Sequence, residues 1–74
     1  MKLIWLTVEV GGDVGTINVG INPAQIVSVA DRRKEGRIVG CEVWVQGGES
    51  SECYAVVQSS NEVSCLFQEA TAQP

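Results

Sequence analysis

Alternation of apolar and polar residues with a period of two runs through most of this chain, and it restricts the possible architectures more than any other feature. From Lys2 to Val10 the even positions Ile4, Leu6, Val8 and Val10 are apolar, whereas Leu3, Trp5, Thr7 and Glu9 are mixed. Successive side chains of a strand point to opposite faces, so this pattern describes a half-buried strand. Gly11 to Gly15 (GGDVG) then supplies turn residues, and alternation resumes with Ile17, Val19 and Ile21 on one side, which predicts a first hairpin. Pro23, within Asn22–Gln25, cannot donate to a ladder and breaks the pattern. A third strand is expected from Ile26 to Asp31.

The segment Asp31 to Arg37 (DRRKEGR) is predicted to be the loop of a second hairpin, with Gly36 taking a positive φ. Beyond it, Val39, Cys41, Val43 and Val45 share one face of a fourth strand, and Ile38, Glu42, Trp44 and Gln46 share the other. Gln46 to Glu52 reads as a turn and Cys53 to Gln58 as a fifth strand. If Val45 faces Cys53, then Val43 faces Ala55, Cys41 faces Val57 and Trp44 meets Tyr54, which places Cys41 and Cys53 in the core. The final element changes period. Ser59 and Glu62 form a capping box, followed by a helical stripe of Val63, Leu66, Phe67 and Ala70, with Cys65 beside it. The expected fold is mainly β (α+β): a five-stranded, mostly antiparallel sheet or small open barrel with one C-terminal helix. It forms a single domain over residues 1–70, and residues 71–74 form a frayed tail.

A domain of 74 residues hides only about 60% of the surface its unfolded chain exposes, yet 45% of these residues are apolar. Self-association into a homo-oligomer is therefore expected. The chain has no His, which removes the usual general base near neutral pH, the usual zinc nitrogen ligand and the Ser-His and Cys-His nucleophile pairs. No enzyme activity and no cofactor are expected. The first ten residues alternate and contain Glu9, unlike a signal peptide or a membrane span. Cys41, Cys53 and Cys65, twelve residues apart and without a CxxC pair, read as structural thiols in a reducing compartment and not as a metal site. A cytoplasmic location, bacterial or in a phage-infected host cell, fits them.

The order of elements, with Ile21, Asn22, Pro23, Ile26 and Val29, then Val43, Gly47, Gly48, Tyr54 and Val56, and finally Ser59, Ser60, Glu62 and Val63, resembles the small FlbD-like proteins associated with flagella and swarming. The resemblance spans about Leu3 to Phe67 and departs from the family pattern in the longer stretch before Asn22 and in the cysteines. It implies the fold, and a protein-interaction adaptor without a small-molecule ligand. The chain is also similar in fold type, size and basic loop to phage-encoded proteins that sequester cyclic-nucleotide signals of bacterial defence. That likeness implies an oligomer with anion-binding pockets between subunits.

Charge marks the candidate site. Arg32, Arg33, Lys34 and Arg37 are four of only five cations; with Asp31 and Glu35 their stretch sums to +2, so the rest of the chain carries −6. Such a cluster either decorates a solvated hairpin tip or binds phosphate or carboxylate groups, for which the arginine fork is suited. An anionic small molecule or an acidic protein surface matches a local patch. A long nucleic acid does not, because the remaining charge repels it. Trp44 and Tyr54, with Trp5, are either packing residues of a second covered face or a stacking platform for a base. Along an extended strand Arg37 and Trp44 lie roughly 23 Å apart, so a ligand touching both needs a second subunit. Glu42, Glu49 and Glu52 lie near one hairpin end but lack the burial that acid–base chemistry needs.

Overall fold

Five antiparallel strands form one open sheet in which, numbered along the chain, the second lies beside the first, then the fifth, the fourth and the third, with a helix after the last strand. The structure is a computed structural model that describes residues 2–11 and 15–72. The strands are β1 (Ile4–Val10), β2 (Gly15–Ile21), β3 (Ile26–Lys34), β4 (Arg37–Gly47) and β5 (Ser50–Val56), and the helix α1 is Ser60–Thr71. The sheet is open, and the predicted architecture holds. Most of the predicted Gly11–Gly15 turn lies outside the described residues.

The alternation of β1 places Ile4, Leu6 and Val8 in the core, paired with Ile21, Val19 and Ile17 of β2. Between β2 and β3, Pro23 begins a single 3-10 turn, Pro23–Gln25, and is buried. The Asn22 side chain accepts a hydrogen bond from the Ala24 N–H at 2.9 Å and so caps that turn. Cys41, Val43 and Val56 complete the sheet side of the core, and α1 covers it with Val63 and Ala70, while Leu66 packs at the margin. Ser59 is the N-cap, as the sequence predicts: its Oγ accepts from the Glu62 N–H at 3.2 Å, the Ser59 half of the expected capping box. The helix runs one residue past the expected end of the domain to Thr71, with Ala72 as its C-cap.

The β4–β5 register differs from expectation by one residue. Val45 pairs with Glu52, Val43 with Tyr54 and Cys41 with Val56, while Trp44 pairs with Cys53. The cause is turn length. Gly47 pairs with Ser50, leaving a two-residue turn of Gly48 and Glu49 with Gly48 at φ 63, and turn length sets which residues face each other. A slip of one residue exchanges the two faces of a strand. Val56 is therefore fully buried and Val57 is 43% exposed, the reverse of the predicted arrangement. Cys53, predicted in the core, is exposed; Cys41 is buried as expected.

The first hairpin joins the rest of the sheet through a narrow seam. β1 and β5 share one bridge, Val8 with Val56, extended by a bond from the Val57 N–H to the Thr7 carbonyl at 2.8 Å. The side chain of Gln58 then replaces the next peptide of the ladder, accepting from the Thr7 N–H at 2.9 Å. No helix among the described residues is long and apolar enough to cross a membrane.

Candidate functional site

The basic segment is not a seven-residue loop. β3 continues through Lys34, β4 starts at Arg37, and only Glu35 and Gly36 make the turn, at φ 53 and φ 80. Positive φ at both central residues is the type I′ geometry whose twist matches that of the flanking strands. Gly36 is where the sequence predicts it, and Glu35 also enters the left-handed region.

β4 pairs with β5 only from Cys41 onward. Arg32 to Gly40 therefore form a two-stranded ribbon that projects past the sheet, and every residue from Arg33 to Val39 is exposed. A bulge lies at the base of the ribbon: Arg32 pairs with Gly40 and Arg33 with Ile38, leaving Val39 as the extra residue. Gly40 has φ 144, and a Cβ there would stand 2.1 Å from the Val56 carbonyl oxygen, so the backbones meet where no side chain fits. Gly40 is missed when β4 is read by alternation alone, although an isolated glycine inside an alternating strand is the usual signal of a bulge.

The four cations are not equivalent. Arg32 turns back along the sheet, and its Nη1 donates to Glu9 Oε2 of β1 at 2.7 Å, with 20% of its side chain exposed. Its Nε and Nη2 are buried without a hydrogen-bond partner among the described residues. Arg32 is therefore a clamp between the ribbon and the first hairpin. Arg33, Lys34 and Arg37 make no ion pair among the described residues. Alternation along β3 puts Arg33 on the same face as Val29 and Asp31, and Asp31 Oδ1 accepts from Ser60 Oγ at 2.7 Å at the start of α1. Lys34 lies on the other face and pairs with Arg37 across the turn.

The predicted contact between Trp44 and Tyr54 does not form, because the register puts them on opposite faces. Trp44 is exposed opposite Cys53. Tyr54 is half-buried beside the core, and its hydroxyl donates to Glu52 Oε2 at 2.7 Å. That hydrogen bond, followed by burial and the carboxylate charge, raises the phenol above its ordinary range. Trp5, 61% exposed, lies against Gly20 and beside an open cavity of about 510 Å³ lined also by Gln58, Asn61, Glu62, Cys65 and Leu66.

Burial raises the pKa of the Cys41 thiol, and Asp31 adds to the effect while Arg32 opposes it. Partial desolvation and the carboxylate of Glu42, 3.9 Å from Cys53 Sγ, raise that of Cys53. Both shifts suppress the thiolate, the nucleophilic form. Glu42 is engaged with Cys53 and Glu52 with Tyr54. Among the described residues no group of three or more Cys, Asp or Glu is placed to hold a metal ion. Comparison with protein-family models, with curated proteins and with solved structures finds no match.

Proposed function

We propose that this chain is a non-enzymatic binding module of the cytoplasm of a bacterial or phage-infected cell, which uses the β3–β4 ribbon to engage an acidic protein surface. The observation that carries this reading is the division of the cations: Arg32 is consumed internally by Glu9, while Arg33, Lys34 and Arg37 stand exposed on a projecting ribbon and make no ion pair among the described residues. A small ligand is held in a concavity that buries most of its surface. An exposed two-stranded ribbon is suited instead to lie against another macromolecule. Ile38 and Val39, both exposed, add apolar area beside the charges, the mixture that protein interfaces use. The reading agrees with an adaptor role of the FlbD-like kind.

In the test, Arg33, Lys34 and Arg37 are changed together to Ala, with Arg32 retained so that the clamp stays intact. The variant should keep its circular dichroism and lose its partners in a pull-down from host lysate. A partner set identical to that of the wild type would overturn the adaptor reading.

A second reading, a sponge for an anionic nucleotide signal, is favoured by one observation: two of the three exposed cations of the ribbon are arginines, whose planar forks match phosphate oxygens. It requires a second copy to close the site, since Trp44 and Tyr54 do not form a joint platform with the ribbon. Calorimetric titration with cyclic nucleotides separates the two. Binding by the wild type that disappears in the triple variant supports the sponge, and absence of heat across the panel removes it.

A further inference from the structure

The outer edge of β3 has no strand beside it: the sheet order ends at β3, and none of its outward backbone groups finds a backbone partner among the described residues. Exposed edges recruit further strands unless something blocks them, and proteins use charges, bulges and covering elements for that purpose. Here the blocking features sit at the two ends of β3. At one end Val27 is an extra residue of β3 between Ile26 and Ser28, and at the other the β3–β4 register shifts between Arg32 and Arg33, where the extra residue is Val39 of β4. Regular pairing is confined to Ser28–Arg32, whose midpoint is Ala30.

We infer that this edge is self-complementary and that β3 pairs antiparallel with β3 of a second copy about a two-fold axis through Ala30. The register follows from the bracketed segment: Ala30 faces Ala30 of the partner subunit, Val29 faces Asp31 of the partner subunit, and Ser28 faces Arg32 of the partner subunit. No like charges oppose one another in this ladder. Its two charged residues are already engaged within their own chain, Asp31 by Ser60 and Arg32 by Glu9, so the smallest side chain of the segment occupies the axis.

Two further observations favour a second copy over a foreign strand. First, charge is graded along the molecule, with Arg33, Lys34 and Arg37 at one end of β4 and Glu49 and Glu52 at the other. An antiparallel pair sets these gradients head to tail, which steers copies into this orientation and disfavours the parallel one. Second, an apolar groove of about 280 Å³ runs along the same edge between β3 and α1, lined by Ile26, Val27, Val29, Val63 and Phe67. Val27 is 63% exposed there, and Phe67 is exposed beside it. A two-fold axis normal to the sheet keeps both helices on one face of a single continuous sheet, and each groove then lies at the seam beside β3 of the other copy. In this register the extra residue Val27 falls opposite Arg33 of the partner subunit and ends the ladder there, so the ribbon tip stays outside it.

The test reads mass and register. Sedimentation of the wild type should give twice the 7.9 kDa of the chain. Ala30→Lys places like charges on the axis at an exposed position and should give a monomer with unchanged circular dichroism. For the register, Ala30→Cys in a Cys53→Ser, Cys65→Ser background should oxidise to a disulfide-linked dimer, since directly opposed Cβ atoms lie about 5 Å apart. Ser28→Cys in the same background faces Arg32 and should cross-link several-fold less. A wild-type monomer, a dimer indifferent to Ala30→Lys, or equal cross-linking at positions 28 and 30 would each overturn the inference. Ala30→Lys leaves Arg33, Lys34 and Arg37 in place and should keep partner capture while losing the dimer, so failure of one proposal leaves the other standing.

Discussion

β4 ends in a two-residue turn on each side, yet the two turns have opposite consequences. At the β4–β5 turn, Gly48 and Glu49 take the place of a longer predicted turn, and the whole of β5 exchanges faces. At the β3–β4 turn, Glu35 and Gly36 replace a longer predicted loop, yet Cys41 and Val43 still face inward. The bulge at Val39 and Gly40 accounts for the difference. It inserts one residue between the turn and the core, so the register set at the ribbon tip does not propagate to the core-facing part of β4. A turn controls burial only as far as the next bulge. On the ribbon, that insulation leaves the sequence at the tip free to carry charge.

The most damaging break of this comparison is removal of the bulge. Gly40→Ala places a Cβ against the Val56 carbonyl at a φ that side chains rarely adopt. The expected loss is on the order of 3 kcal/mol, measured as a lower urea midpoint. A midpoint unchanged from the wild type would show that the insulation does not depend on this glycine.

The β4–β5 register is tested by neighbours on β5. Val56→Ala should cost about 2 kcal/mol, because Val56 is fully buried. Val57→Ala, one residue on and 43% exposed, should stay within about 0.5 kcal/mol of the wild type. The opposite ranking would restore the register in which Val57 faces Cys41.

These residues also show where the sequence was legible. β1 and β4 alternate strongly enough for Ile4, Leu6, Val8, Cys41 and Val43 to be placed correctly, and the Ser59–Glu62 pair announces the helix because capping is local chemistry. β5 is ambiguous for a physical reason: Tyr54 and Val56 are apolar on one face, and Cys53, Ala55 and Val57 on the other, so only turn length decides between them. That length was hidden in a seven-residue run in which any pair could turn. At the candidate site, the concentration of cations was visible, but their division was not. Arg32 finds Glu9 across 23 residues of chain, a contact that no local pattern encodes.

A smaller effect belongs to the ribbon turn. Gly36→Ala strains a residue at φ 80 and should cost about 1 kcal/mol. Glu35 also sits at positive φ, so Glu35→Asn should recover a few tenths of a kcal/mol, since Asn tolerates that region better. Because the bulge separates the tip from the core, neither change should alter the near-ultraviolet signal of the folded protein. A shift in that signal would mean that strain at the tip reaches the core packing.

The smallest expected effect distinguishes the two thiols that the register separates, Cys41 in the core and Cys53 on the surface. With Cys65 replaced by Ser, iodoacetamide should modify Cys53 in the native protein and reach Cys41 only after unfolding. The Cys53 thiol is raised above its ordinary 9.0 by desolvation and by Glu42, so less of it is ionised near neutral pH than in a free cysteine. Its alkylation should therefore run a few-fold slower than that of a model thiol at pH 8 and accelerate as pH rises past 9.0. Glu42→Gln removes the opposing charge, lowers the thiol pKa and should speed the reaction at pH 8. The sign of the stability effect follows from the same shift. An unfolded chain loses the proton first, so folding loses stability as pH rises above the free thiol value. Equal protection of both thiols would return Cys53 to the core and invert the face assignment on which the comparison of the two turns depends.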